Sequence, residues 1–439
     1  MVTQYGISGT TARDISASVE QGVTEGLLGP GDALPPVRRL AEGLGVSPGT
    51  VAMAYRELRQ RGIVITRGRG GTVVAQAPAV GSRRPPKVPP GIRDLAGGYP
   101  DPALLPVLLP PGRVDPVQGS HRGSPRLPAL EELSREWFAR DGVPHERVTF
   151  SHGALDCMAR LLSVELKPGD TVAVEDPGFH HLLDLVPALG LRIAPVAVDD
   201  EGIRPDALRA ALRAGARAVV CSPRGQSPVG GCFSAARRAA LLDALAGFPD
   251  VLVVEDDHNA DVAGVAPFPL ASGGLARWAQ VRTVSKHLGI DLRWAAVACD
   301  ATTLARHDGR MLLTSGWVSH LLQETVARAM SDAPVRTLVE RAGRTYTERR
   351  GALVAHLAEL GIPAHGASGL NVWVPVRDES AVVNGMRSRG WWIAAGARFR
   401  IATPPAVRIT VATLTEAGAA ALASDFAEVL GESEATYGG

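Results

Sequence analysis

Val251-Leu252-Val253-Val254-Glu255-Asp256-Asp257-His258 sets four aliphatic residues before three acids and an imidazole. An uninterrupted aliphatic run bounded in this way suits a strand buried on both faces, with the acids delivered at its end. Runs of the same kind recur at residues 171–175, 218–221 and 295–299, separated by amphipathic helical stretches. Strands alternating with helices predict an α/β body: a mixed, mostly parallel sheet with helices on both faces. From about residue 336 to 433, a long helix and short strands around 372–376 and 407–411 predict a smaller α+β lobe.

Downstream of the acids, Thr283-Val284-Ser285-Lys286 closes another apolar stretch. Of 46 basic side chains in the chain, only Lys87, Lys167 and Lys286 are lysines. Arginine serves almost everywhere a plain positive charge is wanted, and arginine cannot lose its proton to become an amine nucleophile. A lone lysine near a strand end is most often a surface residue, but here its chemistry is singled out. Acids at a strand end are likewise often solvated or cap a helix.

The first 76 residues have a different pattern. Ile15, Val19, Val23 and Leu27 recur at helical spacing, and Val37, Leu40, Ala41 and Leu44 form a second stripe that stops at Gly45. Ser47-Pro48 is a good N-cap and first-turn pair for a third helix, with Val51, Tyr55 and Leu58 on one face. Ile63-Val64-Ile65 and Thr72-Val73-Val74 flank Arg67-Gly68-Arg69-Gly70-Gly71, which predicts a hairpin with a basic tip. Residues 38–75 carry seven arginines against two glutamates, a net +5, although the whole chain is only +1. Such a head suits a helix in the DNA major groove with the hairpin over phosphates; a helical subdomain docked on the body is the bland alternative. Residues 77–91 hold Pro78, Pro85, Pro86, Pro89 and Pro90 and read as a stiff linker.

Length and composition agree with two or three soluble domains: 439 residues, 45% apolar and 21% charged. No basic segment followed by an apolar run opens the chain, and no apolar stretch reaches 18 residues, so a cytoplasmic protein is expected. Cys157, Cys221, Cys232 and Cys299 form no CxxC pair, which predicts reduced structural thiols and no metal site.

Three ordered motifs resemble the GntR-type winged helix: Gly31-Asp32-Ala33-Leu34-Pro35-Pro36-Val37-Arg38-Arg39-Leu40-Ala41, Thr50 to Leu58, and Gly70 to Val74. The resemblance implies DNA contacts from Arg38, Arg39, Ser47, Thr50, Tyr55, Arg56, Arg67 and Arg69. Pro36 stands where the family usually has serine. Residues 94–430 resemble the aminotransferase-like domain of MocR-type regulators, of pyridoxal-phosphate fold type I. The pieces that carry it are Gly98-Tyr99-Pro100-Asp101, Glu175-Asp176-Pro177-Gly178-Phe179, Glu255 to His258, Ser285-Lys286 with Asp291-Leu292-Arg293, and Val407 to Thr410.

This second resemblance implies pyridoxal 5'-phosphate as cofactor, joined to Lys286 as a Schiff base. Asp256 becomes the partner of the pyridine nitrogen, with neighbouring Asp257 an open alternative. Phe179 stacks on the ring and Arg293 binds phosphate. Gly153 and Ala154, at a helix start, cradle the same phosphate through free N–H groups. Gln226, His258, Thr283 and Ser285 complete the cofactor set, and Arg408 holds an effector carboxylate. His258 replaces a tyrosine found in many members, and Ser227 replaces the asparagine of the aminotransferase Asn-Pro-Thr-Gly turn. A usual cofactor-facing tyrosine is missing around Gly119 to Gly123. The expected function is a homodimeric DNA-binding regulator that senses an amine, an amino acid or pyridoxal phosphate itself. A working aminotransferase with a DNA-binding appendage, and a regulator without cofactor, are the alternatives.

Overall fold

The computed structural model describes residues 6–24, 27–29, 31–60, 63–66, 71–74, 88–108 and 123–437, and of 13, 24, 60 and 433–437 the backbone alone. The predicted wing tip with Arg67 and Arg69, most of the linker, and residues 119–122 lie outside the described residues. The chain divides into two compact units, one holding 1–86 with 167–170 and 184–193, the other the remainder.

In the N-terminal head, α1 (Ala12–Thr24), α2 (Val37–Leu44) and α3 (Pro48–Gln60) precede β1 (Val64–Thr66) and β2 (Thr72–Val74). Gly45 stops α2 because it adopts φ 67, from which its N–H turns back to the carbonyls of Ala41 and Glu42. Ser47 then starts α3 by accepting the Thr50 N–H at 3.1 Å. The two strands pair antiparallel, Val64 opposite Val74. Ile15, Val19, Leu40, Val51, Ala54, Tyr55, Leu58, Val64 and Val74 form the core of this unit.

The body opens with β3 (Arg93–Asp94), α4 (Pro128–Ala139), β4 (Val148–Ser151), α5 (Ala154–Glu165), β5 (Thr171–Asp176), α6 (His180–Ala188), β6 (Arg192–Asp199), β7 (Gly202–Ile203) and α7 (Pro205–Arg213). It continues through β8 (Ala216–Cys221), α8 (Ala235–Leu245), β9 (Leu252–Asp256), β10 (Trp278–Thr283), β11 (Ala295–Cys299), α9 (Ala301–Leu312), α10 (His320–Ser331) and α11 (Ala333–Glu359). An eight-stranded sheet has the order β4-β11-β10-β9-β8-β5-β6-β7. Strands β5, β8, β9 and β10 run parallel, whereas β11 runs antiparallel to both β10 and β4. Every residue of β9 is buried, as the aliphatic run at 251–254 predicts for a strand covered on both faces.

The smaller lobe comprises α11, β12 (Asn371–Pro375), α12 (Glu379–Ser388), β13 (Trp391–Trp392), β14 (Ala394–Ala395), β15 (Ala406–Thr410) and α13 (Glu416–Tyr437). In it α11 packs on α13 and β12, and α12 packs on α13 and the strands β13 to β15. Its sheet order is β12-β15-β14, and β13 pairs parallel with β3 from the far start of the body. Leu95, just after β3, lies in one core cluster with Leu353, Val372, Ile409 and Phe426. The lobe is therefore completed by a segment that its own sequence region does not contain. Among the described residues no helix is long and apolar enough to cross a membrane.

Candidate functional site

Strands β4, β5, β8, β9 and β10 share one direction, so their C-terminal ends open on one edge of the sheet. Ligand sites of open α/β sheets form at this edge, because the loops leaving it converge there. Gly153 and Ala154 follow β4, Phe179 follows β5, Gln226 follows β8, Asp256 ends β9 with His258 just after it, and Thr283 to Arg293 end and follow β10.

Lys286 is half-buried, and its Nζ donates to the Gly98 carbonyl oxygen at 2.6 Å. Burial first, then the nearby Arg408 charge, pulls its pKa down to about 8, partly opposed by Asp256. An amine of this kind is ready to act as a nucleophile near neutral pH. Gly98 adopts φ +69, and a Cβ there would come within 3.2 Å of Arg408 Nη2. One backbone turn thus holds the amine and admits the guanidinium.

Asp256 is 5% exposed, and its Oδ1 has no hydrogen-bond partner. Its Oδ2 lies 3.4 Å from His258 Nδ1. Burial alone would lower the His258 pKa, but the Asp256 carboxylate outweighs it and the net shift is upward. Asp257 is fully buried and entirely committed elsewhere. It accepts from Arg224 Nε at 2.8 Å and Nη2 at 2.9 Å, and from Arg282 Nε at 2.9 Å. The same two arginines reach Asp141 Oδ2 at 2.7 and 2.6 Å. Both Asp257 oxygens are thus taken up in ion pairs within the fold, whereas Asp256 keeps one oxygen without a partner.

At the start of α5, Gly153 has φ +91, and a Cβ there would lie 2.8 Å from Arg293 Nη2. Arg293 itself has φ 44, a positive value shared by no other non-glycine among the described residues. Such backbone strain persists where the surroundings impose it, often at ligand sites. The free N–H groups of the first turn and the guanidinium together make a cradle suited to an anion. Thr283 is buried and its Oγ1 accepts the Ser285 N–H at 3.3 Å. Phe179 is half-buried, with the rings of His180 and His181 edge-on at 5.4 and 5.3 Å.

Arg408, in the middle of β15, is 4% exposed and stacks 4.4 Å over the Phe399 ring. Its Nη2 donates to the Ala96 carbonyl, its Nε has no partner, and no carboxylate pairs with it among the described residues. Burial, then the Arg398 charge, lowers its pKa to about 9.

Two expectations are corrected. The Gln226 side chain is not open to a ligand: Nε2 donates to Pro177 O at 2.8 Å and Ser227 O at 3.1 Å, while Oε1 accepts the Val229 N–H at 3.0 Å. It shapes its own loop. Tyr55 is 2% exposed and its hydroxyl donates to Pro35 O at 2.8 Å, so it cannot reach DNA; the helical stripe that makes it core overrides its place in a DNA-binding helix. Arg38, Arg39, Ser47 and Arg56 are exposed and Thr50 is half-buried, all on α2 or around the start and outer face of α3. Pro36 caps α2 without any side-chain hydrogen bond. The Gly98 contact and the Asp141–Arg224–Arg282 set beside the site were not foreseen; an arginine inside the buried strand Trp278–Thr283 was the available signal for the latter.

Residues 121–426 match the family of aminotransferases of class I and II, and residues 4–74 match the bacterial regulatory proteins of the gntR family. The chain is 37% identical over 430 residues to the vitamin B6 salvage pathway transcriptional repressor PtsJ of Salmonella typhimurium, covering 97% of this chain and 99% of that one. It is 28% identical to the pyridoxine biosynthesis transcriptional regulator PdxR of Corynebacterium glutamicum over 79% of this chain and 78% of that one. The probable rhizopine catabolism regulatory protein MocR of Rhizobium meliloti is 28% identical, with 74% and 73% covered. Among solved structures, the kynurenine aminotransferase of Pyrococcus horikoshii superposes with a TM-score of 0.70 at 20% identity, over 78% of this chain and 91% of that one, which establishes the shared fold. A gntR-type DNA-binding head joined to a body of aminotransferase fold places the chain among the MocR-type transcriptional regulators.

Proposed function

We propose that this regulator holds pyridoxal 5'-phosphate at the strand edge and converts its occupancy into a change in operator binding. The observation that carries the reading is the buried, unpartnered Asp256 Oδ1 at the same edge as the depressed-pKa amine of Lys286. Pyridoxal phosphate, when bound, supplies an aldehyde for a primary amine, a ring nitrogen for a carboxylate and a phosphate for an anion cradle. Lys286 is the covalent anchor, and Asp256 keeps the ring nitrogen protonated. The Gly153-Ala154 turn, Ser285, Thr283 and Arg293 hold the phosphate; Phe179 covers the ring and His258 orients Asp256.

The signal is an amine, an amino acid or pyridoxal phosphate itself, the last favoured by the likeness to a vitamin B6 salvage repressor. Arg408, buried with an unpartnered Nε, suits an effector carboxylate. An effector that competes with Lys286 and Arg408 for these contacts binds one arrangement better than another, as a switch requires. The protein acts in the cytoplasm as a homodimer, with Arg38, Arg39, Arg56, Arg67 and Arg69 on the DNA backbone or bases and Ser47 and Thr50 at the helix start.

The test is an absorbance spectrum of wild type and Lys286→Ala after addition of pyridoxal phosphate and dialysis, paired with operator binding. Wild type is expected to retain a band at the visible edge that the variant lacks, and to alter its DNA affinity with the cofactor. No retained band in wild type, together with cofactor-indifferent DNA binding, sinks the proposal.

A further inference from the structure

The outer face of α3 has a composition that the fold does not explain. Inward, Val51, Ala54, Tyr55 and Leu58 are each at most 2% exposed. Outward, Gly49, Met53 and Arg56 follow one another at helical spacing, and Met53 is 52% exposed. Gly49 has no positive φ, and a Cβ there would meet only Ser47 Oγ, at 3.5 Å. Glycine is a poor helix former, and neither backbone geometry nor crowding demands it here. Its smallness is meaningful only toward something outside the chain.

The polar groups nearby are already engaged. The Ser47 and Thr50 hydroxyls lie 2.9 Å apart, Ser47 also caps the helix, and Arg59 donates to Thr66 Oγ1 at 2.8 Å. Ser47 and Arg56 are exposed and Thr50 is half-buried, and among the described side chains of this face Met53 is the largest apolar group. Exposed Arg38, Arg39 and Arg56 around an apolar centre suit a polyanion rather than an apolar protein surface. The DNA major groove offers an apolar feature of its own, the C5 methyl of thymine.

We infer that Met53 is a specificity-determining residue that packs on the C5 methyl of one operator thymine, with Gly49 allowing the helix start to come close. The flexible thioether chain adapts to the methyl without needing a fixed hydrogen-bond angle. Cytosine lacks the methyl, and so does uracil, which otherwise presents the same groove groups as thymine.

The experiment uses the full-length protein and an operator selected from a random duplex library. Each thymine of a half-site is replaced singly by deoxyuridine, which removes one methyl and nothing else. Wild type is expected to lose roughly fourfold in affinity at one position, the scale of one buried methyl group. Met53→Ala should bind the parent operator more weakly and bind thymine and uracil equally at that position, while Met53→Leu retains part of the preference. Equal binding of every deoxyuridine operator by wild type overturns the inference. So does a Met53→Ala protein that keeps the full preference for thymine.

Discussion

Asp256 and Asp257 are neighbours in sequence, both buried, and opposite in fate. Asp257 belongs to a closed set in which two aspartates face two arginines at 2.6 to 2.9 Å. Arg282, buried without exposure, also donates to Trp137 O at 2.5 Å and lies 4.9 Å over the Phe138 ring. Asp256 has one oxygen beside His258 and one with no partner, and Arg408 likewise keeps an unpartnered Nε. Buried polar groups are normally satisfied, so the comparison separates a set closed by its own ion pairs from groups left without a partner inside the fold.

Removing the anchor should have the largest effect. Lys286→Ala is expected to abolish retained cofactor, read as loss of the visible-edge band and of the borohydride-fixed mass increase; a variant that still fixes the cofactor would move the anchor to another residue. Arg282→Ala should hit the scaffold, leaving Asp257 and Asp141 undercompensated at a cost of about 3–5 kcal/mol in denaturant unfolding. A loss near zero would show that the closed set is not what rigidifies this edge.

Asp256→Asn should do the converse, leaving unfolding nearly unchanged while weakening pyridoxal phosphate by about ten- to hundredfold, the scale of one charged hydrogen bond. If it instead unfolds the protein and spares affinity, the contrast between the two aspartates is inverted. The pH dependence sharpens the same picture. With the Lys286 pKa lowered to about 8, cofactor capture by the apo protein should rise between pH 7 and 9 and then level off, because the neutral amine is the reacting form. A capture rate still climbing steeply beyond pH 9.5 or so would place the amine near an ordinary lysine instead.

The smallest effect belongs to the head, where the outer face of α3 is another region unexplained from within. Gly49→Ala should raise stability by about 0.4–1 kcal/mol, since the backbone there is helical and uncrowded. The same change should weaken operator binding. A gain in both would remove the close-approach role of this glycine.

Much of this arrangement was legible in the chain itself. Lys286 stood out because arginine occupies nearly every other basic position. The head was legible because the stripes at 37–44 and 51–58, the stop at Gly45 and the start at Ser47 are local signals. The choice between Asp256 and Asp257 was not, because adjacent residues at a strand end differ only in the face they turn to, and strand register decides that. Gln226 misled for a related reason: a loop rich in glycine, proline and amide predicts a turn, not which groups its side chains find.

The sequence by itself determined the periodicities, the punctuating residues and the scarcity of lysine, and with them the two-part architecture and the one lysine at the strand edge. These are properties of neighbours along the chain, carried by local backbone preference and hydrophobic spacing. Only the tertiary structure decided which polar groups are left over. It brought Gly98 to Lys286 and Arg408 across 188 and 310 positions, paired Asp257 with Arg224 and Arg282, and completed the small lobe with β3. Whether a buried group is satisfied depends on every element packed around it, and that information exists only once the chain has folded.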